Sequence, residues 1–484
     1  DSWDRVAAMP GGSLRKLAEW TYSAMIYETA WHDEDANPDL YQSRNYQVTF
    51  DRNDSGVFSL ADTTYDPVSY WALRLHGHVR KVGIMADAAA WEQQIRNGTQ
   101  TATTVVEAKD VDDDTQDEYI LRNNRVYLCF ERWGGRLVYA FAYDPDTQTV
   151  AQVIGVPVSN PAEEHDGEGA DNNRCSAFKD RYTTGYNDHR HVDMDYAATA
   201  PILGPDFLEF RSADGAISKK VRLPHGRDVA RAEYMLGPGV GTLYLRHGFG
   251  PNQMDLLLNG VANLSVESDN FYYGLRNAAG GAVYAVLGRN AARSSGSLPG
   301  AGYRNRQLPL AEQVEISNRD GITSFSTSLA FSKASAEDID GDGLPNAEEA
   351  INSADFDNPD SDADGMPDGF EVTHGFAPDD PQDAARDSDA DGQVNLAESV
   401  AGTDPRNAAS VLRVISTLFD REKNEVSIAW SSVPGRQYTL QYKASLGDQG
   451  WDDVGSHTAT GDTSSLTVAG QGGTRGFYRV LVGN

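Results

Sequence analysis

Three stretches near the C-terminus repeat one spacing of oxygen-bearing side chains. The first runs Asp338-x-Asp340-x-Asp342-Gly343, then Asn346 and Glu349. The second runs Asp360-x-Asp362-x-Asp364-Gly365, then Asp368 and Glu371, and the third Asp387-x-Asp389-x-Asp391-Gly392, then Asn395 and Glu398. Oxygens at positions 1, 3, 5 and 9 can face one centre, glycine at position 6 permits the sharp turn, and a glutamate at position 12 can close the shell with two oxygens. That many carboxylates converge only around a hard cation, and calcium is the expected cofactor. A solvated acidic linker is the plain alternative, but it has no reason to repeat a twelve-position pattern three times between residues 338 and 398. Loops of this kind work where calcium is abundant, so the expected location is extracellular or at the cell surface.

Other constellations are less specific. A fourth acidic loop, Asp110-x-Asp112-x-Asp114, is followed by Glu118 at the head of a strand-like run. It matches the early calcium positions but has Thr115 where glycine is usual, so an ordinary acidic turn competes with a metal site. The segment containing Glu28, Trp31, His32 and Asp33 gathers an aromatic ring, an imidazole and carboxylates at a helix end. Trp31 can stack on a sugar face while its neighbours bind hydroxyls; a buried tryptophan beside a polar helix terminus is the competing reading. Between Glu163 and Asp195 lies a mixed stretch of carboxylates, imidazoles and guanidinium groups, which suits either a metal or carbohydrate site or polar surface loops. His189-x-His191 lacks the spacing and the third ligand of a zinc site. No Gly-x-Ser-x-Gly elbow and no plausible nucleophilic Cys–His pairing is present.

The elements that must position these groups follow from composition and pattern. The chain has 484 residues, of which 39% are hydrophobic and 10% aromatic. That length suits three to four domains of about 100–200 residues each. A formal net charge of −31 argues against nucleic acid or an anionic membrane surface as partner. No apolar run approaches the ~20 residues of a membrane span. The first residue is Asp1 and no signal-peptide pattern precedes it, which leads us to expect a processed product or a fragment. Two cysteines, Cys129 and Cys175, allow one disulfide or two separate thiols.

The fold class expected is mainly β and multidomain. Residues 1–100 read as a short helical region with an irregular insertion: Ser13 can cap a first helix carrying Leu14, Leu17 and Trp20, and Asp66-Pro67 can open a second that ends at Asn97-Gly98. Residues 101–332 read as a large antiparallel β-sandwich. The runs Glu118–Leu121, Val126–Phe130, Arg136–Tyr143, Val150–Val156, Leu243–Arg246, Asp255–Leu258, Val283–Leu287 and Val314–Ile316 are its strands. Residues 333–410 form the calcium-loop array, a spacer too rich in proline and aspartate to order itself around an apolar core. Residues 411–484 read as a small immunoglobulin- or fibronectin-like β-sandwich.

Residues 17–186 resemble the C-terminal portion of large secreted bacterial glycoside hydrolases of the family 57 or α-mannosidase-like kind. The resemblance is carried by Tyr27-Glu-Thr-Ala-Trp-His-Asp-Glu34, by Asp110-Val-Asp-Asp-Asp with Glu118-Tyr-Ile-Leu-Arg-Asn-Asn124, by Phe130-Glu-Arg-Trp-Gly-Gly-Arg-Leu-Val-Tyr-Ala140, and by Ala177-Phe-Lys-Asp-Arg-Tyr182. It implies a β-sandwich following a catalytic barrel. This chain has no β/α repeat to hold that barrel, so no catalytic residue is carried over to any position. The acidic array resembles thrombospondin type 3 or dockerin-like repeats, with the links Asp357-Asn-Pro359, Asp379-Asp-Pro381 and Thr403-Asp-Pro405.

The reading that follows is an extracellular, calcium-binding, carbohydrate-associated protein, the non-catalytic C-terminal part of a polysaccharide-acting glycoside hydrolase. Its partner would be a polysaccharide or cell-surface glycan. The alternatives are a calcium-stiffened structural or adhesive surface protein capable of self-association, and a carbohydrate-binding module without catalysis. Removing calcium should open residues 338–404 to protease while 101–332 stays resistant. Equal resistance with and without chelator would count against ion-dependent order there.

Overall fold

The strand Val126–Phe130 separates two apolar cores among the described residues. All five of its residues are fully buried, because its sheet is covered on both faces. Side chains alternate along a strand. Tyr127 and Cys129 therefore face one cluster, and Val126, Leu128 and Phe130 face another. The computed structural model describes residues 2–31, 70–111, 117–131, 135–155, 177–181, 200–249, 264–268, 272–277, 283–289, 294–297, 312–332, 335, 337–355, 357–447, 449–471 and 476–483. The chain divides into two units, Asp1–Ile339 and Asp340–Asn484.

In the first unit, α1 (Ser2–Ala8), α2 (Ser13–Trp31) and α3 (Tyr70–Arg96) precede a five-stranded antiparallel meander. The meander is β1 (Val105–Lys109), β2 (Glu118–Arg122), β3 (Val126–Phe130), β4 (Leu137–Asp144) and β5 (Thr149–Ile154). The helices pack on one face through Val6, Leu14, Leu17, Met85, Ala88 and Trp91, against Ile120, Tyr127 and Phe141. Trp91 donates its indole N–H to the Asn123 carbonyl at 2.6 Å, which satisfies the one polar atom of the largest buried ring. The N-terminus of α2 is capped from a distance. Glu92 of α3 accepts from the N–H groups of Ser13 (2.8 Å) and Leu14 (3.0 Å), a cap that residue type at Ser13 does not reveal. Gly12 leaves room for that carboxylate; a Cβ there would sit 2.6 Å from it.

The other face of the meander packs on an eight-stranded antiparallel sheet. Its order is β12 (Leu264–Ser268), β13 (Tyr272–Asn277), β14 (Val283–Arg289), β17 (Ser324–Ala330), β10 (Val229–Leu236), β9 (Ile217–Arg222), β8 (Phe207–Arg211) and β7 (Ile202–Leu203). A four-stranded sheet, β15 (Ser294–Ser297), β16 (Glu312–Asn318), β11 (Tyr244–Phe249) and β6 (Lys179–Arg181), completes the unit. The helix start at Asp66-Pro67 and the run Asp255–Leu258 lie outside the described residues. So does Cys175, while Cys129 is buried on the helix-facing side.

One inward position of β9 is a lysine. The strand alternates buried and half-buried residues, and Lys219 falls on the buried side with no exposed surface. Its ammonium pairs with Asp180 at 3.2 Å, and it donates to the carbonyls of Gly135 (2.7 Å) and Phe178. Tyr234 donates to the second Asp180 oxygen at 2.8 Å. His247, also fully buried, accepts the Phe178 N–H on Nδ1 at 3.2 Å. Burial, with the Lys219 charge adding to it, holds this imidazole neutral, its pKa pushed down to about 3.

The second unit contains α4 (Asn346–Asn352), α5 (Asp368–His374) and α6 (Asn395–Ala401), one behind each acidic loop, and then a small β-sandwich. One sheet is β18 (Val414–Asp420), β19 (Glu425–Ser431) and β22 (Thr463–Ala469); the other is β21 (Asp452–Thr458), β20 (Gln437–Lys443) and β23 (Phe477–Val482). The alternating inward residues Val426, Ile428 and Trp430 meet Tyr438 and Leu440 in its core.

The Lys219–Asp180 pair yields a stability prediction. Lys219→Met alone should cost roughly 3–5 kcal/mol, because it strands a buried carboxylate, and the Lys219→Met/Asp180→Asn double variant should cost less. Urea unfolding of the first unit checks this; a double variant as unstable as the two single costs added together would deny the pairing its role.

Candidate calcium sites

Each acidic loop is built by its own backbone. In the second loop, the Asp364 N–H lies 3.2 Å from Asp360 Oδ1 and 3.1 Å from Asp362 Oδ1. Gly365 N–H donates to Asp360 Oδ2 at 2.9 Å, and Met366 N–H to Asp364 Oδ1 at 2.8 Å. The third loop repeats the set: Asp391 N–H to Asp387 and Asp389 at 3.2 Å each, Gly392 N–H to Asp387 at 3.0 Å, Gln393 N–H to Asp391 at 2.8 Å. In the first loop Asp342 N–H lies 3.2 Å from Asp340 Oδ1 and Leu344 N–H donates to Asp342 Oδ1 at 2.7 Å. Both oxygens of Asp360 and Asp387 accept from the loop backbone, whereas Asp362, Asp364, Asp389 and Asp391 use Oδ1 for the loop and leave Oδ2 buried.

The turns are left-handed where the pattern predicts and at one further place. Position 6 has φ of 96° at Gly343, 100° at Gly365 and 99° at Gly392. Position 4 is left-handed too, with glycine only once: Gly341 at 79°, but Ala363 at 63° and Ala390 at 65°. An alanine held there costs about 1–2 kcal/mol. A pattern written in residue types does not show this strain.

The carboxylates at positions 1, 3 and 5 of all three loops gather so that one oxygen of each lies within 4.8 Å of the others. Asp362 Oδ2, Asp364 Oδ2, Asp389 Oδ2, Asp391 Oδ2, Glu398 Oε2 and both oxygens of Glu371 are buried with no hydrogen-bond donor. Glu349, Glu371 and Glu398, the three position-12 glutamates, have no exposed surface. Buried anionic oxygens that face one another without donors fit a cation with several oxygen ligands.

Without a cation these groups resist ionisation. Burial, then repulsion from Asp362, Asp364, Asp383 and Asp368, pushes Glu371 up to about 9. Burial, then Asp389 and Asp391, pushes Glu398 up to about 7. Asp368 is pushed up to about 6, chiefly by burial.

The position-9 residues are divided in what they do. Both oxygens of Asp368 are engaged by Ser361, through its N–H at 2.8 Å and its hydroxyl at 2.5 Å. Asn395 donates its amide to the Asp383 carbonyl at 2.8 Å and keeps a buried Oδ1 without a donor. Asn346 is buried at the start of α4. A carboxylate outside the twelve-position pattern joins the second loop: Asp383, grouped with Asp364 and Glu371. Its distance along the chain hid it from the pattern.

The remaining sequence-predicted groups are placed as follows. Asp110 precedes β2, and Glu118 at the head of that strand is buried, accepting the Val111 N–H at 2.9 Å. Asp112 and Asp114 lie outside the described residues. Glu28 and Trp31 belong to the last turns of α2, while His32 and Asp33 lie outside the described residues. Of the stretch Glu163–Asp195, only residues 177–181 are described, and there Asp180 serves the buried pair with Lys219.

Comparison with known proteins agrees with the loops. Residues 338–352 and 360–375 match the bacterial TSP3 repeat. No curated protein matches the chain. A solved 4-alpha-glucanotransferase from Thermococcus litoralis is similar at 10% identity and a TM-score of 0.29 over 53% of this chain and 42% of that one. This chain thus spans less than half of that enzyme, and likeness at that score carries no conclusion about activity.

The raised carboxylates set a pH dependence. The ion-free fold holds these protons more tightly than the unfolded chain, so its stability is greatest below the ordinary carboxylate range. That stability is lost as pH climbs from 4.5 toward about 9 for Glu371. In chelator, the Tm of the second unit should therefore fall across that window, and saturating calcium should flatten the fall. A flat Tm in chelator would mean that the carboxylates are not crowded.

Proposed function

We propose that this chain is an extracellular calcium-binding protein in which ions held by residues 338–398 order the acidic array. The observation that carries this reading is the set of buried carboxylate oxygens in the second and third loops that no protein donor reaches. Calcium suits them better than magnesium, because its larger and more flexible shell accepts six to eight oxygens. The ligands would be Asp338, Asp340, Asp342 and Glu349 in the first loop. Asp360, Asp362, Asp364 and Glu371 would serve in the second, and Asp387, Asp389, Asp391 and Glu398 in the third. The array is tied to the terminal sandwich within its own unit. Gln393 donates to the Leu412 carbonyl at 2.9 Å, and a Cβ on Gly402 would meet the Arg436 guanidinium at 3.1 Å. Ordering the third loop therefore steadies the start of that sandwich.

The finer reading is that the chain is the non-catalytic, carbohydrate-associated part of a polysaccharide-acting hydrolase. It is supported by the resemblance of residues 17–186 described above. It is also consistent with strand pairing that is antiparallel throughout the described sheets, which leaves no parallel β/α barrel among them. Its partner would be a polysaccharide or cell-surface glycan.

Calorimetric titration of the purified chain should show uptake of calcium in preference to magnesium, with one strong site per loop. Absence of uptake at millimolar calcium would remove the reading. Binding to immobilised starch or mannan without turnover is the outcome expected for the finer one; hydrolysis by this chain would overturn its non-catalytic part.

A further inference from the structure

We propose that Asp383 completes the ion shell of the second loop, reaching it from the turn that leads into the third. The proposal rests on the calcium reading above and adds a ligand that the twelve-position pattern does not contain.

Three equivalent turns follow the three short helices: residues 355–361, 377–383 and 404–410. In each, the seventh residue's side chain accepts the N–H of the first. Asp355 N–H bonds Ser361 Oγ at 2.6 Å, Ala377 N–H bonds Asp383 Oδ2 at 3.2 Å, and Asp404 N–H bonds Ser410 Oγ at 2.9 Å. A serine hydroxyl suffices for this bond in two of the three turns. Asp383 performs it with one oxygen and brings a second that the turn does not use.

That second oxygen, Oδ1, is buried and has no hydrogen-bond partner, and the residue is 2% exposed. The ligand oxygens of Asp364, Glu371 and Asp383 lie within 4.8 Å of one another. Glu371 is fully buried, with both oxygens equally unpartnered. The nearby guanidinium of Arg386 is engaged by Asp380 at 3.0 Å. Two buried carboxylates and the half-buried Asp364, when ionised at such separation, repel unless a cation stands among them.

The backbone holds Asp383 in place for this. Its carbonyl accepts the Asn395 side-chain amide at 2.8 Å and the Arg386 N–H at 3.0 Å. The second loop therefore commands one more carboxylate than a serine at this turn position would supply, and ligand charge is what raises calcium affinity in such loops. Among the three loops it should be the tightest.

Calcium titration of the full chain by calorimetry tests this with matched charge removals. Asp383→Ser keeps the turn bond, and Asp383→Asn keeps the side-chain shape. Both should weaken the tightest site by about 10-fold or more, the least expected for a group supporting a metal. Asp379→Ser, which removes an exposed carboxylate nearby, should change it by less than about twofold, because exposed charges are screened. Unchanged affinity in both Asp383 variants would overturn the proposal. So would an equal loss in Asp379→Ser, which would make the effect one of net charge. A wild-type chain that takes up no calcium would instead remove the calcium reading itself, and this proposal with it.

Discussion

Repulsion between buried carboxylates governs the acidic array. Among the described residues between 340 and 410 the buried apolar side chains include Leu344, Met366, Ala384 and Ala401, with Pro378 and Pro405. The groups that occupy the interior instead are Asp368, Glu371, Asp383, Asn395 and Glu398. Burying such groups is unfavourable unless a partner offsets their charge. At neutral pH the repulsion among these clustered carboxylates is relieved either by protonation or by positive charge placed among them. A divalent cation would supply that charge and link residues twelve positions apart in one step, as an apolar core links distant side chains elsewhere.

The first unit meets the same constraint in the opposite way. Its buried Asp180 has a fixed partner in Lys219, and the remaining bonds of both are met by Tyr234 and by carbonyls of Gly135 and Phe178. Among its described residues that unit also has two large apolar clusters sharing one sheet. The contrast is between charge neutralised inside the chain and charge left for the solvent to neutralise.

Much of this was legible before any fold was known. The three loops could be read because all but one of their clustered carboxylates fall within twelve consecutive positions, where spacing and geometry are nearly equivalent. The strand Val126–Phe130 was legible from its unbroken apolar run, and β19 and β20 from clean alternation. By contrast, β8, β9, β10 and β17 were not singled out. β8, β9 and β10 carry Glu209, Arg211, Lys219, Lys220, Arg222 and Arg231, and in β9 one of those charges points inward, while β17 is uncharged but rich in serine and threonine. A lysine on the core side breaks the alternation on which strand reading depends.

The capping of α2 makes the same point at a smaller scale. Ser13 is a residue type that caps helices, yet the first N–H groups of that helix are satisfied by Glu92, far along the chain. The alanines at 363 and 390 are unremarkable residues held in a left-handed conformation by the loop around them. Sequence by itself determined the local chemistry: where acidic ligands recur, where glycine lets the chain turn, and which runs must be buried. Only tertiary structure decided which oxygens lack a donor, which distant carboxylate joins the second loop, and which charges cancel inside the core. Those outcomes depend on distances between residues that the chain separates and folding brings together, and no local spacing encodes them.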